Sequence, residues 1–136
     1  MRQHAILLLM LPAILPAQRP TATIQNQAAQ LRIDGLGGSI VHFSLRGHDL
    51  NPLVWSNANP GMEPRAMSHF LCLDRWGQTS IAEGKSGMPY HGEATRVKWN
   101  IAATSTTNEA SMSASLPLAG LTVDRTATVD ATQPLV

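Results

Sequence analysis

The stretch "ASMSASLPLAGLTVDRTATVD", residues 110–130, decides the fold class. Ala110, Met112, Ala114 and Leu116 recur at every second position, and so do Leu121 and Val123, leading into Arg125, Ala127 and Val129. A period of two belongs to a strand with one buried face. Pro117 to Gly120 supplies the turn residues between the two runs. The segment therefore reads as two consecutive strands joined by a tight turn.

The same period extends towards the N-terminus. Thr95, Val97, Trp99 and Ile101 alternate after the corner Pro89-Tyr90-His91-Gly92. Thr21 to Gln25 and Ala29 to Ile33 alternate, and Asp34-Gly35 and Gly37-Gly38 then offer residues that tolerate positive φ. Ser39 to Leu45 alternates with Ile40 on one face and Val41, Phe43 and Leu45 on the other. Arg46 to Asp49 is the next turn, and Leu53-Val54-Trp55 is a short apolar run. His69 to Leu73 reads as a buried strand that ends at Asp74-Arg75-Trp76-Gly77. No helical window is found beyond the first residues, and no repeat. The expectation is an all-β chain of antiparallel sheets.

Two stretches have no periodicity: Ser56 to Ser68, rich in Asn, Pro and Gly, and Gln78 to Pro89. Both are expected as long loops, and loops of this length inside a small domain usually carry function.

Residues 1–17 form a basic lead, an apolar run and a small residue at Ala17, the three parts of a secretory signal peptide. The apolar run is shorter than a spanning helix needs, and Pro12 and Pro16 interrupt it. Residues 18–136 are then a single exported domain, periplasmic or extracellular. Of the 10 Lys and Arg, Arg2 lies in the leader, so the remainder equals the 9 Asp and Glu. A balanced chain has no basic footprint, which argues against nucleic acid and, after leader cleavage, against membranes as partners. Cys72 is the single cysteine, so no internal disulfide forms, and a domain of this size with few aromatic residues has little to bury. The strand-like Val129-Asp130 near the end suggests either a frayed terminus or a sheet that continues beyond it.

Four segments carry a family resemblance: Gly-Gly-Ser-Ile-Val at 37–41, "HFLCLDRWG" at 69–77, "GMPYHGEATRVKWNI" at 87–101, and "LPLAGLTVDRTATVD" at 116–130. Their order resembles the N-terminal portion of galactose mutarotase-like proteins, the aldose 1-epimerase superfamily. The resemblance implies a β-supersandwich, present here in part, with a sugar or oligosaccharide as ligand. It also implies isomerisation at the anomeric carbon of a hexose, which requires a general acid and a general base. His91 matches the family's early assisting histidine, and Arg75 lies where the family places a substrate-contacting arginine. The alternatives are a surface turn histidine, and an Arg75 paired with Asp74 or Glu83. Trp76, beside a glycine in a loop, is the candidate for stacking on a sugar, whereas Trp99 on its strand reads as core.

The acid histidine and base glutamate of the family lie later than these segments. No histidine follows His91, and beyond Glu93 the one later glutamate is Glu109. The chain as given is therefore expected to bind sugar without catalysing mutarotation alone, and no confident catalytic residue is assigned. Glu93 reads as a strand-entry residue. A non-catalytic secreted carbohydrate-binding or accessory module is the alternative, and a poorly folding product a third. No metal or cofactor is expected: His42, His48 and His69 lack ligand spacing, and Cys72 within an apolar run reads as packing. The oligomeric state is left open.

Overall fold

The computed structural model describes residues 20–53, 56–57, 65–66, 68–102, 108–130 and 132. The leader expected at 1–17 lies outside the described residues, as do Val54, Trp55, most of the stretch 56–68 and residues 133–136.

The strands β1 (Thr21–Gln25), β2 (Ala29–Asp34) and β3 (Ile40–Leu45) form one antiparallel sheet in the order β1-β2-β3. Two short strands follow, β4 (Ser56–Asn57) and β5 (Arg65–Ala66), paired with each other inside the first expected loop. The five-residue helix α1 (Ile81–Lys85) and a 3-10 turn at Glu93–Thr95 come next. The strands β6 (Asn100–Ala102), β7 (Glu109–Leu116) and β8 (Leu121–Thr128) make the second antiparallel sheet. The chain is mostly β, as its periodicity requires. No helix among the described residues is long and apolar enough to cross a membrane.

β7 holds the predicted face, and β8 holds it at Ala127 and on to Val129, while Leu121 at its start is exposed. β7 and β8 stay in register from Glu109↔Thr128 to Leu116↔Leu121, and Ala110, Met112, Ala114, Leu116, Ala127 and Val129 are buried. They share one core with Ile24, Ala29, Leu31, Ile33 and Ile40 of the first sheet. Fully burying a Leu or Ile contributes about 1.5–3 kcal/mol relative to exposure. The two sheets thus stabilise each other through apolar area.

β3 departs from strict alternation. Its pairing with β2 shifts register between Arg32 and Ile33, so that Ile33 opposes Ile40 while Leu31 opposes Phe43. Residues directly opposite in an antiparallel pair share a face, so Ile40 and Phe43 both turn towards the core side that alternation would divide between them. Val41 is the extra residue of the bulge, and it too is buried.

Trp99 joins the sheets. It is fully buried, its Nε1 donates to Ala94 O at 3.0 Å, and its N–H donates to Gly35 O at 2.7 Å. Its ring lies against Gly38, where a Cβ would come within 2.9 Å of the indole. Gly37 N–H donates to Val97 O at 2.8 Å, so the turn after β2 is fastened to the segment ahead of β6.

Three expectations are corrected. Phe70 to Leu73 is not a strand: only His69 pairs, with Ile40, and Leu73 is exposed. The run from Thr95 is a 3-10 turn end and a bend before β6 begins at Asn100. The second expected loop contains α1, whose ends are well capped. Ser80 Oγ accepts from Glu83 N–H at 3.2 Å and Glu83 Oε2 accepts from Ser80 N–H at 2.7 Å, a capping box. At the other end Met88 N–H reaches Glu83 O and Gly87 N–H reaches Gly84 O, with Gly87 at φ 87°. That left-handed residue and bond pair stop a helix.

Candidate functional site

The irregular chain between β3 and β6 gathers around one turn. Pro89-Tyr90-His91-Gly92 closes by Gly92 N–H to Pro89 O at 2.9 Å, with His91 at φ 65° in the third position. Turns of this kind prefer glycine or asparagine there. A histidine held in the left-handed region costs of order 1–3 kcal/mol unless its surroundings fix it, and such residues cluster at functional sites.

Its surroundings do fix it. His91 N–H donates to Gly77 O at 3.1 Å, and Gly77 N–H donates back to His91 Nδ1 at 3.1 Å. Cys72 Sγ lies 3.4 Å from the same nitrogen. With Nδ1 accepting, the ring hydrogen sits on Nε2. Three aromatic rings meet the imidazole edge-on: Tyr90 at 4.0 Å between centroids, Phe70 at 5.1 Å and Trp76 at 5.2 Å.

Asp74 positions this group from beneath. Its Oδ2 accepts from Glu93 N–H at 2.6 Å and its Oδ1 from Ala94 N–H at 3.3 Å, capping the 3-10 turn from a distant part of the chain. The carboxylate sits so close to Gly92 that any Cβ there would overlap it. Gly92 also has φ 81° and ψ 172°, a conformation essentially restricted to glycine. Glu93 is buried, and its Oε2 accepts from Ala119 N–H at 2.9 Å, which ties the corner to the β7–β8 turn. It is a structural strut within a 3-10 turn, not a strand-entry residue.

The structure brings His91 and Trp76 together and leaves Arg75 in other company. Arg75 donates from Nε to Gln78 O at 3.1 Å and from Nη2 to the same oxygen, and its Nη1 lies 3.5 Å from Glu83 Oε1. That is the Glu83 pairing which the sequence left open. Hydrogen bonds from Ser80 and then the Arg75 charge hold the Glu83 carboxyl below its ordinary range. Cys72 is half-buried in irregular chain and not in a strand. Burial, and then the Asp74 charge, push its thiol upwards, so the sulfur is a weak donor to His91 and a poor nucleophile.

Trp76 is 76% exposed and Tyr90 50%, while Trp99 is at 0%. Tyr90 and Phe70 escaped the sequence reading as site residues. The signal was present in the adjacency Tyr90-His91 and in the spacing of Phe70, Cys72 and Asp74, which brings all three to the His91 corner even without a strand. Among the described residues no group of three or more His, Cys, Asp and Glu could hold a metal ion. Three cavities among the described residues are lined by side chains other than His91, Arg75 and Trp76.

The arrangement is a shallow surface: two exposed aromatic rings beside an oriented imidazole N–H. No family model, no curated protein and no solved structure matches the chain.

Proposed function

We propose that this protein recognises carbohydrate at the His91 corner and represents the N-terminal portion of a galactose mutarotase-like supersandwich, exported by its leader. The observation that carries the reading is the pairing of exposed Trp76 and Tyr90 with His91, whose acceptor nitrogen is occupied by Gly77 N–H. An aromatic face takes the C–H surface of a sugar ring, and a fixed Nε2–H donates to one hydroxyl. Arg75, one turn of loop away, supplies a further donor only by leaving Gln78 and Glu83.

Binding without chemistry is favoured over isomerisation by this chain. Anomeric isomerisation requires a proton donor and a proton acceptor free to act on one substrate. The carboxylates near the corner are engaged: Asp74 by two backbone N–H groups, Glu83 by Ser80 and Arg75, and Glu93 by Ala119. A non-catalytic carbohydrate-binding module accounts for that pattern, and the epimerase activity belongs to the family resemblance.

Titration of the purified chain with neutral mono- and oligosaccharides, read by calorimetry, tests the proposal. Binding should be lost in Trp76→Ala and in His91→Gly, both of which keep the fold, since Trp76 is largely exposed and glycine suits φ 65°. Binding unchanged in both variants would refute the site. Polarimetry should show anomer interconversion at the buffer rate, and a rate well above it would refute the non-catalytic reading.

A further inference from the structure

A second region of the molecule has the chemistry of a ligand site and owes nothing to the His91 corner. Between the two sheets lies a cavity of about 580 Å³ whose walls include Leu31, Ile40, Phe43 and Leu53 on one side and Arg125 and Ala127 on the other. Small-molecule sites typically occupy about 300–1,000 Å³, with mostly apolar walls and few polar groups. This cavity meets that description: beside its apolar walls stand His69, Thr126 and Thr128, and one charged side chain, Arg125. Arg125 makes one hydrogen bond, from Nη1 to Gly38 O at 2.8 Å, and pairs with no carboxylate among the described residues. Among the described residues no acidic side chain lines the cavity.

An arginine half out of water with no counter-charge is costly, and burial pulls its pKa below the ordinary value. A guanidinium fork with donors to spare matches a carboxylate geometrically as well as electrically. An apolar wall on the far side excludes a ligand that is polar throughout. We propose that this cavity binds a small anionic amphiphile, with its carboxylate on Arg125 and its apolar body against Leu31, Phe43 and Leu53. The occupant is fixed by complementarity of charge at one end and of apolar surface at the other.

Three probes of the native chain separate these contributions: decanoate, decanol and acetate, added below micellar concentration and followed by calorimetry and by amide chemical shifts. Decanoate should bind about tenfold or more tightly than decanol, the range that a charge-assisted hydrogen bond provides. Acetate should show no measurable binding. Shifts should centre on Leu31, Phe43 and Ala127, and Arg125→Met should reduce decanoate to the level of decanol. If Arg125→Met fails to fold, the comparison of probes on the native chain still decides. Equal affinity for decanoate and decanol would overturn the proposal, as would acetate binding like decanoate or shifts centred on Trp76 and Tyr90. Absence of decanoate binding would overturn it too, and a dimer by sedimentation would then identify a second copy as the occupant.

Discussion

β7 and β8 run in unbroken register and β7 buries every second side chain, whereas the chain from Phe70 to Thr95 has one short helix, α1, that buries none of its residues. The hairpin is stabilised by area removed from water, a term spread over many side chains. The corner is held by a handful of directional bonds: Asp74 to the 3-10 turn, Gly77 to His91, and Glu93 to Ala119. The difference teaches where rigidity comes from in each place. Distributed burial tolerates small changes, but a corner built on single bonds has no redundancy. It can also display Trp76 and Tyr90 to solvent, which a packed sheet cannot do.

The largest expected effect lies in the element that both regions share. Trp99→Ala should cost about 3–5 kcal/mol, as large-to-small core substitutions of aromatics do. Chemical denaturation should show both regions unfolding together at lower denaturant. If the corner alone loosened, the single-core account would fail.

An intermediate effect should separate the two regions. Gly92→Ala forces a Cβ onto the Asp74 carboxylate in a conformation restricted to glycine, at a cost of about 1–3 kcal/mol. Amide exchange should accelerate from residue 74 to 95 and remain unchanged in β7 and β8. Equal acceleration everywhere would show that the corner and the sheets are one cooperative unit.

The smallest effect is electrostatic. Glu83 has a depressed carboxyl pKa in the folded chain, so its capping contribution is present above the ordinary glutamate value of about 4.3. It is lost as pH falls through the lower folded value. The α1 amide signals should shift in that window while those of β7 and β8 stay fixed. A pH-independent α1 would remove Glu83 from the account of its cap.

The strands were legible because burial imposes a period of two on the sequence, and Ala110, Met112, Ala114 and Leu116 show it without interruption. β3 was legible as a strand but not in its facing, since the bulge at Val41 depends on a register shift in its partner. Helix α1 escaped the sequence reading: Ser80, Glu83 and Gly87 are the start and stop residues of a short helix, but it lacks the apolar stripe that reveals longer ones. His91 and Trp76 could be named from the sequence, yet their meeting could not. It rests on Gly77 and Asp74, whose bonds span some 14 to 20 residues. Side chains such as Phe70 and Cys72 were misjudged because an apolar run looks the same whether it enters a sheet or wraps a corner.

The reciprocal bonding of Gly77 and His91 has a spectroscopic consequence. An imidazole nitrogen that takes up a proton can no longer receive one from a neighbour, so any event that charges the ring must release the Gly77 amide. The exchange rate of that single main-chain hydrogen is therefore a built-in gauge of the ring's state, readable without labelling a ligand.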